Sequence, residues 1–196
     1  MARHQAIAAT GQAIISLLAD ACPSEFEGAR FELYQVKDFL TPMEEGVSLY
    51  LYRIAVNGSR RSLPPTIGAD GRKYRPPIPL DLNYLLTAWA KTAGRQQRLL
   101  AWALRTLQDS PVLPASFLNN YAPEHDVFRT HEAVELVFDS LSLQDMNNLW
   151  SVIKQPPPLS VTYIVRMIII ESEIPIDETA GDVQTRAFDA GQVVTP

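Results

Sequence analysis

The sequence predicts an α/β (α+β) fold in which a mixed β-sheet is flanked by helices. Three observations predict it. In two segments, Val47–Val56 and Ser160–Ile170, apolar residues occupy both the odd and the even positions, which is typical of strands buried on both faces. Segments with a helical period of about 3.6 residues lie between strand-like segments. The chain of 196 residues, 46% hydrophobic and 20% charged, has the size and composition to build a real core as one domain.

The first elements are predicted to be a helix and a strand. Apolar and small residues recur at helical spacing within Ala6–Ala19, which predicts a helix with one buried face. Pro23 and Ser24 end it. Phe31–Val36 alternates in polarity after a charged loop, which predicts a strand.

The next strand, Val47–Val56, carries large side chains on both faces, so we expect it in the middle of a sheet or under an interface. Asn57 and Gly58 then indicate a turn. The loop from there to Pro79 is rich in proline and glycine and long for a compact domain, and loops of this kind are often functional or mobile.

The central part of the chain predicts a strand followed by a helix. Leu80–Leu86 alternates as a half-buried strand that runs on to Trp89. Arg95–Leu107 has a leucine and alanine stripe at helical spacing. After Pro111 and Pro114 the pattern supports no assignment before residue 133.

The last elements are a strand over Ala133–Phe138, a helix and a second central strand over Ser160–Ile170. Ser142 is the predicted N-cap of the helix, with Asp145 at its third position. Three prolines, residues 156–158, end the helix. We therefore expect a domain over residues 1–174 and a flexible acidic tail over residues 175–196.

Charge is distributed unevenly along the chain. The formal net charge is −5, and six acids against one base from Glu171 onward account for all of it. A neutral body argues against a dedicated nucleic-acid-binding protein, which needs a basic surface. The proline-rich loop is basic, and its counterpart is either an acidic partner surface or the chain's own tail. The interface candidates are Arg60, Arg61, Arg72, Lys73, Arg75, Glu171, Glu173, Asp177 and Glu178.

No residue pattern indicates a catalytic, cofactor or metal site. The group at residues 124–126 with His131 and Glu132 has the right ligand types for zinc, but the spacing favours a polar loop. GADGRK, residues 68–73, lacks the GK[ST] ending of a phosphate-binding loop and is better explained by a turn. A GxSxG elbow is absent from the sequence.

The sequence also bears on redox state and localisation. Cys22 is the only cysteine, so an intrachain disulfide is impossible. The N-terminal residues lack the pattern of a signal peptide, and the longest apolar run is interrupted at Arg166, too short to span a bilayer. We expect synthesis and folding in the cytoplasm.

Five sequence blocks occur in an order and spacing that resemble a known family. They are VSLYLYRIAVN, RPPIPLDLNYLLTAWA, RLLAWALRTLQDSPVL, LSLQDMNNLWSVI and PPPLSVTYIVRMIII. Together they resemble the DUF4255 family, the N-terminal domain of the cap, or tail terminator, proteins of extracellular contractile injection systems such as the Photorhabdus virulence cassette and the antifeeding prophage. The resemblance covers Ala6 to Ile174.

The resemblance implies a noncatalytic structural protein with a tail-terminator-like fold. It implies a homohexameric ring on the end of the inner tube, in contact with the sheath, that stops polymerisation. The implied partners are other copies of the chain, the tube protein and the sheath protein, without nucleic acid or membrane insertion. The particle would assemble in the cytoplasm and then be either released or attached to a membrane.

Three other functions remain open from the sequence. The first is a terminator or connector of an ordinary contractile phage tail. The second is an adaptor that recruits cargo through the acidic tail. The third is a small metal-dependent hydrolase that uses His125, Asp126 and His131.

Overall fold

The computed structural model describes residues 4–122, 126–153 and 158–176. The predicted tail therefore lies outside the described residues from residue 177 onward, as do Asp177, Glu178 and His125. The elements in chain order are α1 Ala6–Asp20, β1 Arg30–Leu33, β2 Gly46–Val56, β3 Thr66–Ile67, β4 Lys73–Tyr74, β5 Ile78–Trp89, α2 Ala93–Asp109, β6 Val112–Pro114, α3 Ala115–Asn120, β7 Ala133–Asp139, α4 Leu143–Ile153 and β8 Ser160–Ile170.

Six of the strands form one mixed sheet in the order β1-β2-β5-β8-β7-β6. The β1–β2 pair is parallel, and the other four pairs are antiparallel. β5 and β8 lie at the centre, and β3 and β4 form a separate two-stranded hairpin. The predicted mixed sheet with flanking helices is confirmed, as is the central place of Ser160–Ile170.

Helical segments cover both faces of the sheet. On one face α1, α2 and α3 enclose the larger core, in which Leu82 and Leu86 are fully buried. On the other face a 3-10 helix, Val36–Leu40, and α4 enclose a smaller cluster centred on Phe39. The Phe39 ring lies 5.4 Å from that of Trp150 and 5.5 Å from that of Tyr50. Because each face of the sheet packs against its own core, the strands carry apolar residues at both odd and even positions.

Bulges in two strands change which side chains face the helices. The register between β5 and β8 shifts between the pairs Leu80–Ile168 and Leu82–Val165. Because directly paired residues share a face, Val165 and Ile168 both turn toward the larger core, where they are 0% and 1% exposed. The strict alternation of faces along Ser160–Ile170 is therefore interrupted after Val165. β2 has a similar shift between Leu51 and Arg53.

The predicted strand over Phe31–Val36 is shorter than expected. β1 ends at Leu33, and the chain turns because the buried Tyr34 hydroxyl accepts the Met43 N–H at 2.8 Å. The 3-10 helix then starts at Val36, where the Gln35 N–H donates to the Asp38 carboxylate at 2.7 Å. β6 and α3 fill the stretch after Pro111 for which the sequence pattern supported no assignment.

Candidate assembly surface

One end of the sheet carries the loop that the sequence singled out. We define the tip as residues 54–78 together with residues 168–176. It contains the ends of β2, β5 and β8 and the β3–β4 hairpin. The hairpin is tied to the second segment because Arg75 N–H donates to Ile174 O at 3.0 Å and Ile176 N–H donates to Lys73 O at 2.7 Å. The basic loop and the start of the acidic segment are thus joined through their backbones.

A carboxylate fixes the base of the loop to the sheet. The Asn57 side-chain amide donates to both oxygens of Asp81, each at 3.0 Å. The Met167 N–H donates to the same carboxylate at 3.2 Å. Met167 is the bulge residue of β8, with φ 63°, a conformation that an L-residue adopts only when its surroundings hold it. Asp81 therefore links the loop to the bulge that redirects β8.

The turn of the hairpin explains the glycines of GADGRK. Gly71 has φ 75°, and its N–H donates to Gly68 O at 3.0 Å. The Asp70 carboxylate accepts the Arg72 N–H at 3.1 Å and the Tyr74 hydroxyl at 2.8 Å. The Tyr74 hydrogen bond is the main reason that the pKa of Asp70 is lowered, while the same bond raises the pKa of Tyr74. This geometry confirms a turn at these residues.

The basic side chains of the tip are exposed. Arg60, Arg61 and Arg75 form no ion pair with any residue in the described ranges. Arg72 lies 3.8 Å from Asp70, a loose contact between solvent-exposed groups. Lys73 is also exposed. The guanidinium groups of Arg60, Arg61 and Arg75 are therefore exposed on the surface of the tip.

The two acidic interface candidates within the described residues, Glu171 and Glu173, differ in their surroundings. Glu171 is paired with Arg129, whose guanidinium donates to both carboxylate oxygens at 2.7 and 3.0 Å. Glu173 is exposed. A cleft of ≈ 460 Å³ lies between this segment and the hairpin, lined by Thr66, Gly68, Ala69, Asp70, Tyr74, Arg129, Glu171, Ser172 and Glu173.

Sequence reasoning missed the apolar part of the tip. Large aliphatic side chains are exposed there, although such residues are usually covered. The available signal was the run of β-branched residues on both sides of the proline-rich loop. The exposed fractions are 47% for Ile54, 49% for Val56, 72% for Ile67, 53% for Ile78 and 52% for Ile174. Aliphatic and arginine side chains together are typical of a protein–protein interface.

The described residues of the hydrolase alternative do not form a metal site, although His131 lines a cleft beside Ile168 and Ile169 of the tip. Asp126 and His131 are exposed, and His125 lies outside the described residues. Within the described ranges, no group of three or more histidine, cysteine, aspartate or glutamate residues could hold a metal ion. A second cleft of ≈ 350 Å³ includes His131 and Glu132 but is otherwise mainly apolar.

Comparison with solved structures places the fold among terminator proteins of contractile particles. One match is the sheath/tube terminator of the extracellular contractile injection system PVC in its extended state. It is 20% identical, with a TM-score of 0.57, over 93% of this chain and 64% of that chain. Another is the tube-terminating cap of the anti-feeding prophage. It is 17% identical, with a TM-score of 0.58, over 94% of this chain and 60% of that chain. The chain thus spans less than two thirds of either structure's length.

The profile of the Pvc16 N-terminal domain family matches residues 9–181. The chain therefore belongs to the Pvc16 N-terminal domain family, which confirms the family identified from the five sequence blocks. A comparison with curated proteins found no significant match. Among the described residues, no helix combines the length and apolarity needed to cross a membrane.

Proposed function

We propose that the protein is the structural cap of a phage-tail-like contractile injection system. In this role it forms a homohexameric ring on the last ring of the inner tube, contacts the end of the sheath and stops the polymerisation of both. It is noncatalytic, assembles in the cytoplasm and becomes part of the finished particle. The observation that carries the proposal is the family match over residues 9–181, together with a terminator fold over nearly the whole chain.

The tip supports this proposal because it has the properties of a docking surface. Burial of its exposed aliphatic side chains against a partner would stabilise the complex, by roughly 25 cal/mol per Å² of apolar surface. The guanidinium groups of Arg60, Arg61 and Arg75, which form no ion pair with the described residues, would select an acidic partner and speed its approach. A tube end exposes a subunit-binding surface, and a ring that binds it without offering a further such surface ends growth.

The experiment is electron microscopy of particles from cells that lack this gene. We expect tubes of uncontrolled length or particles without a sheath, and restoration of uniform particles by the wild-type gene. Uniform particles in the deletion strain would contradict the cap function. Metal analysis of the purified protein separates the hydrolase alternative, since a stoichiometric transition metal would favour the enzyme.

Complementation with a charge-reversed tip tests which surface is used. Arg60→Glu combined with Arg61→Glu and Arg75→Glu should fail to restore uniform particles. Arg105→Ala is the control, because Arg105 is an exposed arginine on α2 whose ion pair among the described residues is with Asp109, one helical turn away. Equal restoration by the two variants would show that the basic tip residues are not the docking surface, without refuting the cap function itself.

A further inference from the structure

We infer that the free outer edge of β2, over residues 51–56, receives the acidic segment 177–196 of a second copy as an added strand. Neighbouring subunits would thereby be fastened to one another. This inference rests on the proposed ring and names the contact that closes it. Its failure would leave the cap function standing, because the tube end could still be occupied through the tip.

Among the residues that the structure describes, this edge is open because β1 is shorter than β2. β1 pairs only with residues 46–49 of β2. The last bond of that pairing is from Tyr34 N–H to Leu49 O at 2.9 Å, after which the chain turns into the 3-10 helix. From Leu51 to Val56, β2 pairs with β5 on one side, and no strand within the described ranges pairs with its other side.

The backbone of this edge is oriented to accept a strand. Asn57 N–H bonds to Pro79 O at 2.9 Å, so Asn57 directs its backbone toward β5. In an antiparallel pair, alternate residues direct their N–H and C=O groups to the same side. Val56 and Ile54 therefore direct theirs to the outer side. Their side chains are 49% and 47% exposed, so an added strand would cover both backbone and aliphatic surface.

The charge at this edge selects an acidic strand. Arg53 is the only charged residue of β2, and Arg60 and Arg61 lie four and five residues after the end of the strand. All three are exposed and form no ion pair inside the described part of the chain. Positive charge along an open edge favours a segment of negative charge and opposes pairing between two identical edges.

Residues 177–196 have the composition of such a segment. They contain four acids, Asp177, Glu178, Asp182 and Asp189, against one base, Arg186. From residue 177 to residue 195 there is no proline, so every backbone N–H in that range can join a ladder. The run QVVT near the end is rich in β-branched residues, which suit strands.

The segment is also long enough to reach a neighbouring subunit. It follows Ile176, which is bonded to Lys73 of the hairpin. Twenty extended residues span about 66 Å, whereas a compact chain of this size has a radius of gyration of about 16 Å. In a ring, each copy would donate its segment to the next copy and receive one from the previous copy, so the contact closes without a free end.

The test combines sedimentation velocity with hydrogen exchange on the full-length protein, without tubes. We expect self-association that weakens with salt, and slower exchange at the Ile54 and Val56 amides as protein concentration rises. Ile54→Pro removes one outward N–H and should weaken association at least tenfold. Ile54→Lys, which places a charge on the edge, gives the same readout if the proline variant does not fold. Ile67→Lys is the matched control on β3 and should leave association unchanged.

A charge-swap pair identifies the occupant. Arg60→Glu with Arg61→Glu should weaken association, as should Asp182→Lys with Asp189→Lys in a separate protein. Combining both sets in one chain should restore it. Amide protection that does not depend on concentration would show that the chain's own segment covers the edge, which overturns the inference. Absence of self-association, or association that none of these variants changes, would also overturn it.

Discussion

Replacement of Asp81 with alanine tests whether one carboxylate holds the β8 bulge and the base of the tip. The variant leaves the Met167 N–H and the Asn57 amide without the acceptor that they share. Asn57 is only 8% exposed, so water replaces its partner poorly. An unsatisfied buried donor costs about 1–3 kcal/mol. Because Asp81 itself is half-buried, we expect a total loss of about 2–4 kcal/mol in the free energy of unfolding.

Calorimetry and urea denaturation measure this loss. For a domain of this length each kcal/mol shifts the melting temperature by roughly 2–4 °C, so Asp81→Ala should lower it by about 5–15 °C. Asp109→Ala is the control, because it removes an exposed ion pair within α2 and should cost no more than about 0.5 kcal/mol. If both variants lose the same small amount, the bulge does not depend on the Asp81 carboxylate.

Three further predictions concern the cores and the sheet. Phe39→Ala should lower the free energy of unfolding by about 3–5 kcal/mol, because Phe39 is 1% exposed. Leu40→Ala should lower it by under about 0.5 kcal/mol, because Leu40 is 65% exposed. Equal losses for the two variants in urea denaturation would contradict this prediction. Gly46→Ala should prevent stable folding, because Gly46 has φ 148° and an added Cβ would lie 2.0 Å from the backbone oxygen of Arg30. Gly94→Ala places its Cβ in open space and should fold normally. Circular dichroism measures both outcomes. Burial raises the pKa of Tyr163 to about 12, so between pH 10 and 12 the unfolded chain loses this proton while the folded chain keeps it, and stability falls as pH rises. Tyr163→Phe should show a smaller fall in melting temperature over that range, and an unchanged fall would refute the assignment.

Local patterns were sufficient for the regular elements. The stripe over Arg95–Leu107 predicted α2 because period and burial coincide there. Ser142 was identified as an N-cap, and its Oγ accepts the Asp145 N–H at 3.1 Å. These features depend on side chains within one helical turn, so the sequence contains the information that specifies them.

Features that depend on distant residues could not be predicted from the pattern. The strand from Phe31 stops early because Tyr34 bonds Met43, a partner nine residues away that alternation does not reveal. The β8 bulge depends on Asp81, a residue 86 positions from Met167. Period-2 analysis assumes one register along a strand, and a bulge breaks that assumption.

The sequence predicted the charged residues of the candidate surface, but not their ion-pair partners or the exposed aliphatic side chains beside them. The basic loop could be recognised from its arginines, yet which of them lack partners depends on the fold around them. Glu171 belongs to the predicted acidic set, but it pairs with Arg129 on another segment. The exposure of the tip isoleucines depends on tertiary packing, which no local pattern specifies.

Cryo-electron microscopy of the intact particle tests the cap function most directly. We expect a ring of six copies of this chain at one end of the inner tube, with the basic tip against another subunit, the tube or the sheath. Particles that carry a closed tube end without this chain, or that contain it only at another position, would contradict the proposed function.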